Sequence, residues 1–404
     1  MRHLIFILIG VSGFTFSASA ATRRPTLPPR IDQSDSSNNA FATDLYAQFS
    51  STDGNVFFSP VSIQMALAMT WGGANGQTAD EMTKALHFDA DTHKRLGAFA
   101  ADVNSGAKAG GYELASSNAL WLDRGFPFDR DYISFVRKSY KAKLAAADFA
   151  GDSAGSRKAI NDWVAEQTHD RIKELVPEGT IDRNTRLVLA NAIYFNGKWT
   201  HTFDKNLTLE QDFRTASGKK VKTSLMMQRG HFRYGEDDAV QVLEIPYGND
   251  QLCMRIFLPR KANGLGALER RMTSPRLAVL AEKLRQEDVM LYLPRFKIEA
   301  RLPLKEALQA MGMKLAFEQG TADFTAMSRD GGLYISAVLH NAFIKVDEEG
   351  TEAAAATGVV GGIFGGQPGP APQPIEFKAD HPFVFAIVHR KTDTMLFMGR
   401  LTNP

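Results

Sequence analysis

Apolar residues recur at helical spacing through much of the first half of the chain and at strand spacing through much of the second. Phe41, Leu45 and Phe49 fall four apart, which predicts one apolar stripe on an amphipathic helix. Ser59-Pro60 predicts an N-cap with proline in the first turn, opening a helix that runs to Gly72-Gly73. Thr78 and Glu81 have capping-box spacing, and Ile160, Trp163 and Val164 mark a further helix. Ser274-Pro275 repeats the cap-and-proline device, and Leu304, Leu308 and Met311 predict a helix stopped by Gly312.

Between these lie strands. Residues 187–195 are apolar on both alternating sets, as expected of a strand covered on both faces. Residues 240–246 and 252–259 flank Gly248-Asn249-Asp250, a hairpin signal. Residues 289–293, 333–346, 383–388 and 395–401 complete a β-rich second half. With helices early, strands late and no regular βαβ alternation, the pattern predicts an α+β fold with several sheets.

Both ends of the pattern carry information. A cation, Arg2, precedes the apolar run Leu4–Ile9 and then small residues ending in Ala18-Ser19-Ala20, the layout of a cleaved secretory signal over residues 1–20. Residues 21–39 are polar and rich in Pro, Ser and Asn, so they are expected to be a solvated tail before a single folded domain at 40–404. The expected location is therefore outside the cytoplasm, extracellular or periplasmic. Lys+Arg 47 against Asp+Glu 45 leaves a net charge of +2, which argues against a nucleic-acid binder. The lone cysteine, Cys253, excludes an internal disulfide and a Cys-based zinc cluster.

One segment has a composition of its own. Glu348-Glu349-Gly350-Thr351-Glu352-Ala353-Ala354-Ala355-Ala356-Thr357 follows a long strand and is built mostly of small residues. If extended, Thr351, Ala353, Ala355, Thr357 and Val359 share one face and Glu352, Ala354, Ala356, Gly358 and Val360 the other. The first face is small and uncharged, so it can lie between two strands without burying an unpaired charge. An alanine-rich helix is the competing local reading. From Gly358 to Pro374 there are six glycines and four prolines, which predicts an exposed loop in which Phe364 stands as bait for an apolar specificity pocket.

This segment resembles the reactive loop of a serpin. Asn55-Val56-Phe57-Phe58-Ser59-Pro60-Val61-Ser62-Ile63, Asn191-Ala192-Ile193-Tyr194-Phe195-Asn196-Gly197-Lys198-Trp199, Ala322-Asp323-Phe324, Asp380-His381-Pro382-Phe383 and Phe397-Met398-Gly399-Arg400 also resemble that family's motifs. The resemblance implies three β-sheets, about eight or nine helices and an exposed reactive loop near 348–374. It implies a monomeric suicide inhibitor with no enzymatic activity, cofactor or metal. A protease attacks the loop, forms an acyl-enzyme, and is trapped when the cut loop enters the large sheet. Family spacing places the reactive bond at Phe364–Gly365, which points to chymotrypsin-like serine proteases. Attack at Ile363 or Val360 would shift the target to elastase-like enzymes, and a cysteine protease is a further class of partner. Nucleic acid and membrane are not expected partners. By the same resemblance Ser59, Ser62, Asn191 and His340 form a polar cluster beneath the opening strands, and Trp199 lies where the hinge enters.

Other classes have weaker sequence support. No His-Glu-x-x-His pair and no Gly-x-Ser-x-Gly elbow occurs. Gly264-Leu265-Gly266 and Ser217-Gly218-Lys219 read as turns. The basic run Arg137, Lys138, Lys141 and Lys143 reads as a solvated face or a polyanion site. A non-inhibitory binding protein of the same fold, or a protease substrate, stays open, because glycines at 358, 361 and 362 weaken an inserted strand.

Overall fold

In the computed structural model, which describes residues 36–110, 112–140, 142–248, 250–351 and 373–404, the stripe of Phe41, Leu45 and Phe49 is buried on helix α1 (Ser36–Phe49). Strand β1 (Val56–Phe58) and helices α2 (Pro60–Trp71), α3 (Gly76–Ala85) and α4 (Thr92–Gly110) follow, then β2 (Tyr112–Asp123). Next come α5 (Arg130–Tyr140), β3 (Lys143–Ala147), α6 (Ser153–Gln167) and β4 (Leu187–Lys198). Strands β5 (Leu209–Arg214), β6 (Lys220–Glu236), β7 (Val240–Tyr247) and β8 (Leu252–Pro259) lead to α7 (Leu265–Glu269) and α8 (Ser274–Glu282). The last elements are β9 (Arg285–Pro294), β10 (Phe296–Arg301), α9 (Leu304–Ala310), β11 (Val338–Asp347), β12 (Gly350–Thr351), β13 (Ile375–Lys378), β14 (Phe383–His389) and β15 (Thr394–Leu401).

The local signals act mostly as expected. Ser59 caps α2 through its hydroxyl, which accepts from Ser62 N, and Pro60 occupies the first turn. Four expectations shift. Thr78 and Glu81 lie inside α3, which Asn75 precedes, and they serve a neighbouring segment instead: Asp323 N donates to Thr78 Oγ1, and Lys314 N and Leu315 N donate to Glu81. Ser274 is the first residue of α8 rather than its cap, a position held by Thr273. The strand expected over 333–346 begins only at Val338. The polar tail ends earlier than residue 39, because α1 begins at Ser36. Asn38 donates to Met395 O, and Asn39 accepts from Met395 N, so both polar side chains are buried with partners on β15. Residues 1–35 lie outside the described residues, and so does the expected signal segment.

Hydrogen bonding joins the described strands into two sheets where three were expected. The reason is β6, whose 17 residues pair with β5 and β9 along most of their length and with β7 at the end, carrying one ladder through a would-be break. The result is a nine-stranded sheet and a six-stranded sheet, with nine α-helices among the described residues. The six-stranded sheet has the order β10-β11-β12-β4-β2-β3.

Strand β4 shows why both of its alternating sets are apolar. Leu187 and Leu189 join the core that includes α2, whereas Val188, Ala190 and Ala192 pack with Ile160, Trp163 and Val164 of α6. Farther along, Ile193 and Phe195 meet the nine-stranded sheet. Strand β4 is therefore enclosed on both faces, and any polar group in its middle must find a partner within the protein.

Candidate functional site: the sheet seam and its hinge

Strands β11 and β4 pair in parallel over Val338–Phe343 and Leu189–Tyr194. Beyond these rungs they part, and β12 fills the space. Gly350 stands opposite Asp347 and Lys198, and Thr351 opposite Val346 and Gly197, both pairings antiparallel. The hinge is thus already seated as a two-residue wedge at the mouth of the seam. Gly350 passes too close to the β4 backbone to carry a side chain: a Cβ there would lie 2.0 Å from Gly197 O.

A ring stack and four hydrogen bonds hold the wedge. Tyr247 and Trp199 stack with centroids 4.4 Å apart, and the Trp199 indole N–H donates to Asp347 O at 2.9 Å. The Tyr247 and Thr351 hydroxyls lie 2.6 Å apart, with Thr351 fully buried. Burial pushes the Tyr247 phenol well above its ordinary range, so it stays protonated. Backbone bonds from Trp199 N to Glu349 O and from Phe203 N to Glu348 O fix the turn that feeds the hinge.

Glu348, only 2% exposed, receives Arg295 Nε and Nη2 and the Thr208 hydroxyl, at 2.5–2.9 Å. Burial raises the carboxyl, but Arg295 and Thr208 outweigh it and hold the group below the usual glutamate range. Lys205 Nζ pairs with Glu349 at 2.6 Å on the open surface. Arg295→Ala strands a buried carboxylate and is expected to lower stability by about 2–3 kcal/mol. Glu348→Gln leaves a guanidinium that is 44% exposed and can be hydrated, so its expected cost is about 1 kcal/mol. Urea midpoints of the two variants check this order.

A second polar group crosses the seam farther down. In the sheet register Asn118, Asn191 and His340 stand on one rung of β2, β4 and β11. Ser59 N donates to His340 Nε2 at 3.1 Å, so the ring proton sits on Nδ1 and is donated to Asn191 Oδ1 at 2.6 Å. Asn191 Nδ2 lies 2.6 Å from Ser62 Oγ and 2.5 Å from Asn118 Oδ1, and Ser59 Oγ donates to Leu396 O. Burial lowers the His340 pKa to about 3, so the imidazole is neutral. The His340–Asn191 bond is the side-chain tie across the parallel ladder.

The structure brings Ser59, Ser62, Asn191 and His340 into one hydrogen-bonded chain and places Trp199 against the hinge. Of the hinge, Glu348, Glu349, Gly350 and Thr351 are described. Glu352, Ala353, Ala354, Ala355, Ala356 and Thr357, and the bond Phe364–Gly365, lie outside the described residues. Sequence reasoning missed Asn118, Thr208, Tyr247 and Arg295. Asn118 carried a usable signal, a polar residue just before the apolar run Ala119-Leu120-Trp121-Leu122. The others gain their roles only through pairing with distant residues.

The candidate site is thus a short parallel seam with Gly350 and Thr351 seated at its mouth and a polar tie across it. The family model for Serpin (serine protease inhibitor) matches residues 36–404. Serpin B3 of Homo sapiens is 40% identical, with 91% of this chain and 98% of that protein covered. The leukocyte elastase inhibitor of Xenopus laevis is 38% identical over 90% of this chain and 97% of its own length. Among solved structures, uncleaved ovalbumin aligns with a TM-score of 0.82 at 27% identity, covering 92% of this chain and 99% of that one. The chain belongs to the serpin family.

Proposed function

We propose that the protein is a suicide inhibitor of serine endopeptidases, with Phe364–Gly365 as the attacked bond and chymotrypsin-like enzymes as the first target class. The observation that carries this reading is the hinge wedge, seated in line with the β11–β4 seam and followed in the sequence by Glu352 and four alanines. The protease serine attacks the Phe364 carbonyl, the Gly365 amine leaves, and the Phe364 acyl group stays on the enzyme. Residues after Thr351 then replace the β11–β4 ladder with a new strand antiparallel to both neighbours.

The observed register extends arithmetically. Each residue after Thr351 meets the residue one earlier on β4 and on β11. Glu352 then falls opposite Asn196 and Lys345, and the half-exposed Lys345 ammonium, which pairs with Asp347 at 3.1 Å before insertion, offers a shared partner for the hinge's last charge. Thr357 falls opposite Asn191 and His340, placing a hydroxyl where insertion separates the polar tie. The strand ends near Gly361 at Leu187, the first residue of β4, about 34 Å from Thr351 at ~3.4 Å per residue. That displacement carries the attached protease along the sheet.

Secretion is proposed from the layout of residues 1–20. Among the described residues no helix is long and apolar enough to cross a membrane. The name of the Xenopus laevis relative supports an elastase-like second target, through Ile363 or Val360.

The test mixes the purified protein with chymotrypsin and, separately, with elastase, followed by a denaturing gel. The expected product is a covalent adduct together with a C-terminal fragment that begins at Gly365. Cleavage with no adduct supports the substrate reading, which the glycines at 358, 361 and 362 favour. Nicking the loop with a non-target protease is expected to raise the melting temperature by at least about 10 °C, since about twenty backbone hydrogen bonds of the inserted strand form in place of the six-rung β11–β4 ladder, a net gain at roughly 0.5–1.5 kcal/mol each. An unchanged melting temperature overturns the insertion step.

A further inference from the structure

The seam is bridged on one face by a segment that belongs to neither sheet. Val188, Ala190 and Ala192 of β4 and Phe343 of β11 form one buried cluster with Ile160, Trp163 and Val164 of α6, so α6 lies across the seam on the face opposite α2. Residues 174–176, which follow α6, are bound to it. The buried Asn161 side chain accepts from Leu175 N at 2.9 Å and Val176 N at 2.8 Å and donates to Val176 O at 3.0 Å. The same residues are also bound to the far bank of the seam. Glu174 O accepts from Arg301 Nη2 of β10 at 2.5 Å and from Asn341 Nδ2 of β11 at 3.2 Å. Arg301, Asn341 and Ala192 of β4 stand on one rung.

Entry of a strand moves β11 away from β4 by one further strand spacing, about 4.8 Å. Hydrogen bonds of 2.5–3.2 Å do not stretch that far. Residues 174–176 therefore lose either their bonds to α6 or those to β10 and β11. The first set has three bonds around a buried amide, whereas the second has two, one of them from a guanidinium that is 46% exposed and ready to be hydrated. The second set is the one that gives way. In the register of the wedge this happens when Ala356, five residues past Thr351, reaches the rung of Asn341 and Ala192.

We propose that Arg301 and Asn341 are positioning residues for the trapping step: by holding Glu174 across the seam, they set the rate at which the cut loop passes this rung. This role rests on the insertion reading and gives it a control point, since insertion runs against hydrolysis of the acyl-enzyme. A stronger hold sends more of the protein to the cleaved, released form, and a weaker one favours the adduct.

Two measurements test it: the ratio of covalent adduct to released cleaved protein with chymotrypsin or elastase, and the rate at which a synthetic peptide with the sequence of residues 352–362 anneals to the intact protein, followed on native gels. Arg301→Ala is expected to raise both about fivefold, the factor that about 1 kcal/mol gives at 1.36 kcal/mol per tenfold. Arg301→Lys, which keeps a donor, is expected to stay near the parent. Arg229→Ala, which breaks a half-exposed ion pair with Asp288 in the other sheet, is expected to leave both values parental. A parent that forms no adduct, with peptide annealing still faster in Arg301→Ala, would sink the inhibitor reading and keep this one. Adduct formation by the parent with both values unchanged in Arg301→Ala overturns the proposal alone, whatever that variant does to the melting temperature. If the parent neither forms adduct nor anneals the peptide, both readings fall.

Discussion

Thr357→Arg is expected to lower the ratio of covalent protease adduct to released cleaved protein by about 100-fold while leaving the intact protein's melting temperature unchanged. In the extended register Thr357 enters the rung of Asn191 and His340, which are 1% exposed and have no acid among their observed partners. A guanidinium there adds an unpaired charge to the inserted state, at a cost of about 3 kcal/mol. Insertion competes with hydrolysis of the acyl-enzyme, and each 1.4 kcal/mol on its barrier is a factor of ten in the partition.

Two companions separate the face from the position. Glu352→Gln, on the opposite face beside Lys345, is expected to keep the parental yield. Thr351→Arg is expected to do what Thr357→Arg does not, and lower the stability of the intact protein. Thr351 is buried against Tyr247 before any cleavage occurs. Adduct yields on gels and melting curves of the three variants check this. A parental adduct yield from Thr357→Arg would overturn the register.

Mild acid is expected to loosen the seam through His340. Its pKa is depressed by burial from about 6.5 in the unfolded chain to about 3 in the native protein. The native state thus holds the neutral ring, and its advantage is complete above pH 6.5 and shrinks as the pH falls toward 3. The expected loss by pH 4 is about 3 kcal/mol, at 1.36 kcal/mol per unit. The chemistry is specific: protonating Nε2 would set an N–H against the Ser59 N–H that now donates to it. In His340→Gln the share of the pH dependence owed to this ring is expected to disappear. Urea midpoints of parent and variant between pH 4 and 7 check it, and parallel curves would refute the assignment. The variant also removes the Nδ1 donor to Asn191, so its midpoint at pH 7 is expected below the parent's.

Much of this architecture is legible in local patterns. The caps of α2, the stripe on α1, and the double-sided apolarity of β4 depend on a few consecutive residues that set backbone angles and faces. Where the reading failed, a distant partner competed for the same side chain. Thr78 and Glu81 have capping-box spacing, yet the backbone near residues 314 and 323 uses them. Asn38 and Asn39 look like tail residues, yet β15 supplies partners that make their burial tolerable. The two-sheet ladder depends on β6 having three partners, and strand pairing is invisible to periodicity.

By itself the sequence determined several of the helices and strands, the family motifs, and a hinge of small side chains. Only the tertiary structure decided that Gly350 and Thr351 already occupy the seam, that Arg295 answers Glu348 and Tyr247 answers Thr351, and that Asn118, Asn191 and His340 share one rung. The physical reason is range. Capping and periodicity act within a few residues along the chain, whereas register, burial and charge pairing join residues from 53 to 149 positions apart.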